Sequence, residues 1–510
     1  MSSNCHIITT EADDDDDDRF AGVNLDRDQP NAPGYAATVD AILADDKART
    51  GFLRACLIKL GLEVSQNTES VPSLSRLHLS ATPPSTVSEL VHSWQEAGIV
   101  SKDDAGLEWI KGENDTFCLE QVGRWNMAGV KSAVADALPQ AVKDTLPEAV
   151  APTSASTAVE KENRKPQQQN EAQADPSSSA DRILDYNALI KHLVAHETEL
   201  PDGKETPHFN HHAYFANLKV YAEQHAKESR TEWGKNLLYG EVVTSTNTML
   251  EKNPTWLAHL PAGFTATATT QVAGRGRGSN VWVSPPGSLM FSTVLRHSLA
   301  LSHTAPVVFV QYLAAMAVVN AIHSYDRGYG KLPIKLKWPN DIYALDPTTP
   351  STEKKYTKIA GILVNSSYSG GDYTLVTGIG LNVHNSRPST SLSHLTTAHN
   401  LPPFALEKLL AGIIVHFEEL YTRFCRAGFD AQFEEAYYRM WLHTDQIVTL
   451  EAEGGVKARV KGITRDWGLL VAEEVDREGK TVGWGGGRRF ELQSDSNSFD
   501  FFKGLLKKKV

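Results

Sequence analysis

The sequence predicts an α+β protein, a mixed sheet with packed helices followed by a small C-terminal β-barrel. Three observations predict it. Strand-like runs recur between residues 237 and 383, where apolar residues alternate or cluster in short stretches. Two long segments inside and after that region have helical spacing instead. After residue 446 the pattern changes to short alternating segments separated by glycine turns. Sheet with helices, then small β unit, is the architecture this order favours.

Each element has its own signal. "LLYGEVV" (237–243), "FTATATTQV" (264–272) and "SLMFSTVLR" (288–296) read as strands. "VVFVQYLAAMAVVNAI" (307–322) follows Pro306, which suits the first turn of a helix. Being apolar nearly all round, it reads as a buried helix. It is too short to span a bilayer and contains Gln311 and Asn320. "IKLKW" (334–338), "KIAGILVNSSY" (358–368) and "YTLVTGIGLNV" (373–383) read as further strands. "PFALEKLLAGIIVHFEELYTRFC" (403–425) places Phe404, Leu409, Ile413, Phe417 and Leu420 on one side of a helix. In the last segment, Gly454-Gly455 and Asp466-Trp467-Gly468 supply the turns.

Composition divides the 510-residue chain into five parts. Residues 1–46 form an acidic tail that includes the run Asp13 to Asp18, and residues 47–134 a small folded unit. Residues 135–181, rich in Pro, Ser, Gln and Ala, form a linker without enough apolar surface to fold. Residues 182–443 form the main α+β block, and 444–510 the small C-terminal unit. The net charge of −12 disfavours general binding to nucleic acid or anionic membrane, which carry the same sign. Cys5, Cys56, Cys118 and Cys425 lie far apart, so reduced thiols and a cytoplasmic location are expected. The N-terminus lacks a signal-peptide apolar core. His208, His211, His212 and His323 do not have zinc-helix spacing, and no metal site is expected from them.

Five short motifs carry polar chemistry. In "QVAGRGRGSNVW" (271–282), Gly274, Gly276 and Gly278 clear side chains from the backbone N–H groups. Arg275 and Arg277 add donors matched to phosphate or carboxylate oxygens. The spacing fits neither a Walker loop nor a dinucleotide fingerprint. On residues alone, the stretch is a phosphate loop, a surface turn or an arginine-glycine RNA tract. "KWPNDIY" (337–343) sets Asn340 and Asp341 at a strand end, facing a cleft or making a plain turn. Lys358 of "KIAGILV" opens an apolar strand in which Gly361 permits close backbone approach. Asn382 of "GIGLNV" ends another strand. Ser245, Thr246 and Asn247 of "TSTNTML" follow a strand and also suit a helix N-cap.

Together, in this order over residues 235–385, the five motifs resemble the biotin–protein ligase family, and "FNHHAYFANLKVY" (209–221) is similar to its fungal members. The resemblance implies a class II synthetase-like catalytic domain at 182–443 and an SH3-like small barrel at 444–510. It also implies a partial glutamine-amidotransferase-like domain at 47–134. No G-x-C-x-G elbow surrounds Cys5, Cys56 or Cys118, so no amidase activity is expected there. The family's activity implies ATP, biotin and Mg²⁺: biotin is activated to biotinyl-5′-AMP and passed to a lysine of a carboxylase carrier domain. Acetyl-CoA carboxylase and pyruvate carboxylase are the implied partners, with neither nucleic acid nor membrane involved.

Residue by residue, the resemblance implies biotin contacts from Ser245, Thr246, Asn247, Gln271, Gly274, Arg275, Gly276, Arg277, Lys358 and Gly361. It implies ATP or adenylate contacts from Arg275, Arg277, Trp282, Asn340, Lys358 and Asn382. Arg277, Lys358 and Asp341 take the catalytic roles, with Asp341 beside the incoming lysine. No residue is implied as a dedicated metal ligand. Two other readings remain open: a lipoate–protein ligase-like acyl ligase, and a non-enzymatic arginine-glycine RNA-binding protein.

Overall fold

The computed structural model describes residues 74–122, 186, 189–225, 231–278, 280–339, 341–347, 355–385, 390–476, 478–480, 487–493, 497–500 and 505–508. The sequence-predicted tail 1–46, the linker 135–181, Asn340, Ser279, Cys5 and Cys56 lie outside these residues.

The three strands expected between 237 and 296 are β6 (Asn236–Val243), β7 (Thr265–Gln271) and β8 (Ser288–Ser298). Beyond them lie β9 (Ile334–Lys337), β10 (Asp341–Leu345), β11 (Tyr356–Ser369) and β12 (Asp372–Asn382). Strands β8, β12, β11, β10 and β9 are successive antiparallel neighbours. Residues of β12 therefore alternate between two faces. Leu375, Ile379 and Leu381 point into the main core, while Gly378, Gly380 and Asn382 occupy the opposite face.

The core face is covered by α5 (Val310–His323), which packs against α7 (Leu406–Ala427), the helix after the short α6 (Leu392–Ala398). This explains why residues 307–322 are apolar on every side: Leu313, Ala314, Ala317 and Val318 are all fully buried. In α7, Leu409, Ile413 and Phe417 are buried as the spacing predicts, whereas Leu420 is only partly covered. A third helix, α2 (His211–His225), lies on α7 where Gly412 lets Tyr221 approach.

The sequence-drawn boundary at 134–182 is not a boundary of the sheet. Strands β1 (Leu77–Ala81), β2 (Val100–Lys102), β3 (Glu108–Lys111), β4 (Thr116–Gln121) and β5 (Lys191–Ala195) extend it on the far side of β6. The sheet has twelve strands in the order β2-β3-β4-β5-β1-β6-β7-β8-β12-β11-β10-β9. The junction is the antiparallel pair β1–β6, with Leu79 opposite Leu238. One apolar cluster spans it, joining Leu79, Phe117 and Trp94 of α1 (Ser85–Glu96) to Trp256, Phe264 and Val294.

A buried ion pair locks the extension in place. Lys191 Nζ lies 2.5 Å from Asp115 Oδ1, with both side chains almost wholly buried. Asn253, which precedes α4 (Pro254–Ala258), donates to Asp115 Oδ2 at 2.7 Å and accepts from the Asn114 and Asp115 amides. Removing one charge strands the other in the interior. Asp115→Ala is expected to lower stability by about 3–5 kcal/mol, measured by urea unfolding; a change below 1 kcal/mol would contradict the buried pairing.

The C-terminal segment forms a separate six-stranded sheet, β16-β15-β14-β13-β18-β17, over Ile447–Leu450 (β13), Val456–Ile463 (β14), Leu470–Glu474 (β15), Arg489–Leu492 (β16), Asn497–Asp500 (β17) and Leu505–Lys508 (β18). It departs from an all-antiparallel pattern at one place, the parallel pair β13–β18. Its apolar residues Val448, Val460, Leu470 and Ala472 continue the main core. Gly468, in the left-handed region at φ +63°, accepts hydrogen bonds at its carbonyl from Tyr312 (2.8 Å) and Trp338 Nε1 (3.0 Å).

His443 fastens the strand end that carries the "KWPND" motif. The Trp338 amide donates to His443 Nε2 at 2.9 Å, and His443 Nδ1 donates to Gln446 Oε1 at 3.0 Å. Both contacts require a neutral ring protonated at Nδ1. Burial pushes its pKa from 6.5 down to about 4. Because the folded pKa is depressed, the unfolded chain binds the proton more readily between those values. The contribution of His443 to stability is therefore full above pH 6.5 and is lost at about 1.4 kcal/mol per pH unit towards pH 4. Unfolding measured across this range should show a slope about one proton shallower in His443→Asn; an unchanged slope would contradict the assignment.

Candidate active site

The site lies on the face of β8, β12 and β11 opposite the α5–α7 core, at the end of α3 (Thr246–Glu251). Its floor is backbone. Gly361 of β11 and Gly380 of β12 are cross-strand partners, and the Trp282 indole lies directly on them. A methyl added at Gly380 would sit 2.5 Å from Trp282 Cε2 and Nε1, and one at Gly361 3.2 Å from Cζ3. Both glycines are there because the ring needs their space.

A β-bulge aims Lys358. In a regular strand, residues three apart point to opposite faces. The register of β10 with β11 shifts between Ile342 and Tyr343, so Ile342 opposes Ala360 while Tyr343 opposes Lys358. The extra residue, Ile359, turns into the core, and Lys358 emerges on the Gly361 face. Its Nζ lies 2.7 Å from Asp341 Oδ1 and 5.7 Å from the centre of the Trp282 ring. Asp341 stands opposite Gly361. Lys358, Asp341, Trp282, Gly361 and Gly380 thus form one group.

The other end of the face is polar and buried. Ser245 is the N-cap of α3, its hydroxyl accepting from the Thr248 amide at 3.3 Å. Thr246 donates from its amide to Gln271 Oε1 at 2.8 Å, and its hydroxyl lies 2.9 Å from Ser292 Oγ. Gln271 Nε2 in turn donates to Ser284 at 2.9 Å. Asn247 packs beside Gly378, with its Oδ1 buried and without a partner. Trp282 Nε1 and Ser288 Oγ are likewise buried and unmatched. Interiors rarely leave such atoms unsatisfied, and these three lie on the site face, where a polar ligand can match them.

The arginine-glycine stretch is a narrow ribbon. Gly276 donates to Asn280 O at 2.8 Å, and Trp282 to Gly274 O at 2.9 Å. Gly274 is needed because a side chain there would collide with the Trp282 carbonyl. The ribbon's purpose is visible in its far leg, which delivers Trp282 to the glycine floor. Its two cations diverge. Arg275 pairs with Glu251 at 3.3 Å, at the end of α3. Arg277 lies towards Tyr312, where burial raises the phenol's pKa and the arginine's charge opposes that rise. Asn382 ends β12 opposite Ser288, buried on the site face. Beside Tyr312, a cavity of about 250 Å³ opens between α5 and the C-terminal sheet, lined by Trp338, exposed Trp467 and Gln493.

Sequence reasoning missed Ser292, Ser284, Glu251 and Gly380 as site residues. Only Gly380 carried a signal, as the second glycine of "GIGLNV". The other three enter through cross-strand position and helix-end placement, which a linear motif does not contain.

A glycine-floored sheet face, an aimed ammonium group and a buried polar end together form a site suited to a polar, anionic ligand. Residues 239–382 match the family model described as Biotin/lipoate A/B protein ligase family, and residues 16–81 match one described as Biotin-protein ligase, N terminal. The chain is similar to the Biotin--protein ligase of Schizosaccharomyces pombe, 38% identical over 65% of this chain and 51% of the relative. It is also similar to Biotin--protein ligase 2 of Arabidopsis thaliana, 32% identical over 55% of this chain and 80% of the relative. The chain belongs to the biotin–protein ligase family. It spans about half the length of the Schizosaccharomyces pombe relative. A solved structure, the Aquifex aeolicus biotin protein ligase in complex with biotin and ATP, is 23% identical, covering 50% of this chain and 98% of that one, with a TM-score of 0.37.

Proposed function

We propose that this chain activates biotin with ATP and transfers the biotinyl group to a lysine of carboxylase carrier domains. In the first step a biotin carboxylate oxygen bonds to the α-phosphorus, the bond to the β-phosphate oxygen breaks, and pyrophosphate leaves. In the second, the carrier lysine's amine bonds to the acyl carbon, loses a proton, and AMP leaves.

The observation that carries this reading is the pairing of Lys358 with a buried polar slot. Two anions must meet in the first step, and a positioned ammonium offsets their repulsion. For Lys358 to do so it must exchange Asp341 for the incoming carboxylate and phosphate. Asp341 is then released beside the reacting centre, placed to accept the carrier lysine's proton. Trp282 gives the adenylate an aromatic surface. Mg²⁺ would arrive on the nucleotide's phosphates and share their charge. Asp341 and Glu251 are the carboxylates at hand, both held in ion pairs, so the chain offers no carboxylate cage of its own for the ion among the described residues.

Biotin rather than lipoate is favoured by Asn247. Its unmatched Oδ1 is an acceptor for a ureido N–H, whereas a dithiolane has no donor to offer. The RNA-binding alternative has little support, because Arg275 is engaged with Glu251 and the chain is net acidic. The carriers served are proposed to be those of acetyl-CoA carboxylase and pyruvate carboxylase. A cytoplasmic location is proposed on the widely spaced cysteines.

The test is incubation with labelled biotin, MgATP and an apo carrier domain. The reading predicts an acid-labile biotinyl adenylate and then label on the carrier lysine. Labelled lipoate in its place, or RNA affinity falling steeply with salt in its absence, would replace the reading with one of the alternatives.

A further inference from the structure

We infer that the N-terminal extension of the sheet holds a divalent transition-metal ion of the Zn²⁺ type, bound by His78, His196 and Glu205. This site is remote from the glycine floor and takes no part in the proposed ligase reaction. The three residues come from β1, from the end of β5 and from the loop that leads to α2. One ligand atom of each lies within 4.8 Å of the others.

The sheet register creates the site. His78 stands opposite Val194 on β5, and His196 follows two residues later on the same face. His196 is anchored by its amide, which donates to Leu79 O at 2.9 Å. His78 Nδ1 and His196 Nε2 are 3.0 Å apart. Two imidazole nitrogens on one tetrahedral zinc, each about 2.0–2.1 Å from it, are about 3.4 Å apart, so the rings need to part by only a few tenths of an ångström. Two imidazoles and a carboxylate, with water in the fourth position, are a common zinc donor set.

Two ring nitrogens of the pocket lack partners. His196 Nδ1 is buried without a partner, and so is Nε2 of His211, the third imidazole of this pocket. A hydrogen bond between His78 and His196 satisfies one nitrogen of each and leaves these orphaned. A hydrated ion brings oxygen atoms into the same pocket.

A second cluster on the same sheet face, Cys118, Glu120 and His192, is the competing location. Here the His192 ring is hydrogen-bonded to Glu120 at 2.8 Å, and neither residue leaves a buried nitrogen or oxygen unmatched. The histidine cluster is therefore the assigned site, and its ion would tie the 197–210 loop to β1 and β5.

The test uses the full chain, stripped of metal, titrated with Zn²⁺ and separately with Co²⁺, then dialysed. The expected result is one retained ion per chain, a raised thermal midpoint, and a visible Co²⁺ spectrum without a thiolate charge-transfer band. Glu205 is exposed, so Glu205→Gln leaves the fold intact and should weaken retention at least about tenfold. His196→Asn should abolish retention. Adenylate formation by Glu205→Gln should match the unaltered chain, which separates this site from the ligase reading. No retained ion, retention unchanged in Glu205→Gln, or a thiolate band placing the ion at Cys118 would each overturn the assignment.

Discussion

Replacing Lys358 by alanine is expected to slow biotinyl-adenylate formation by about 10²–10³-fold, the cost of losing one preorganised donor of about 2.7–4 kcal/mol. The side chain is 39% exposed, so the loss should fall on chemistry more than on folding. The measurement is the single-turnover burst of acid-labile adenylate, with the thermal midpoint recorded beside it. Asp341→Asn is the informative companion. It removes the carboxylate that holds Lys358 at 2.7 Å and leaves the ammonium in place. Adenylate formation should then persist while transfer to the carrier slows. An unaltered burst in Lys358→Ala would remove the ammonium from the first step.

The second large effect is expected from one methyl group. Gly380→Ala places a carbon 2.5 Å from two atoms of the Trp282 ring, and the neighbouring backbone of a central strand cannot retreat. The indole must leave its floor. Overpacking of this kind costs about 1–3 kcal/mol of stability, and adenylate retention should fall with it. Trp282→Ala removes the ring and with it the collision. The two substitutions should therefore be non-additive in unfolding free energy, with a coupling of about 0.5–3 kcal/mol. Strict additivity would place the ring elsewhere.

These two residues also separate what was legible in the sequence from what was not. Strands β6–β9, β11 and β12 and helices α5 and α7 follow directly from apolar periodicity, because each buries a face against one continuous core, whereas β10, whose start at Asp341 reads as the end of a strand, does not. The polar motifs were legible as a group, and Lys358, Asp341, Trp282 and Gly361 do converge. Their geometry was hidden. Lys358 reaches the site face through a bulge at Ile359, an irregularity with no compositional mark. The arginine-glycine stretch reads as a clamp of two cations, yet Arg275 turns to Glu251 and Arg277 towards Tyr312. Charge counts alone cannot reveal such partners.

The union of the N-terminal strands with the main sheet was hidden for a different reason. It depends on β1 finding β5 and β6 across a long stretch of chain, through backbone hydrogen bonds that any sequence can make. His78 and His196 are brought together by that same pairing although 118 residues separate them. Searching for histidines close in sequence could not have found them.

The central claim is that Lys358, released from Asp341, meets the mixed anhydride over the Gly361–Gly380 floor. A crystal structure with a non-hydrolysable biotinyl-adenylate analogue tests it most directly. The account predicts the analogue's acyl-phosphate oxygens within hydrogen-bonding reach of Lys358 Nζ, the Lys358–Asp341 contact lengthened from 2.7 Å, and the ureido ring against Asn247. An analogue bound elsewhere, with that ion pair intact, would contradict it.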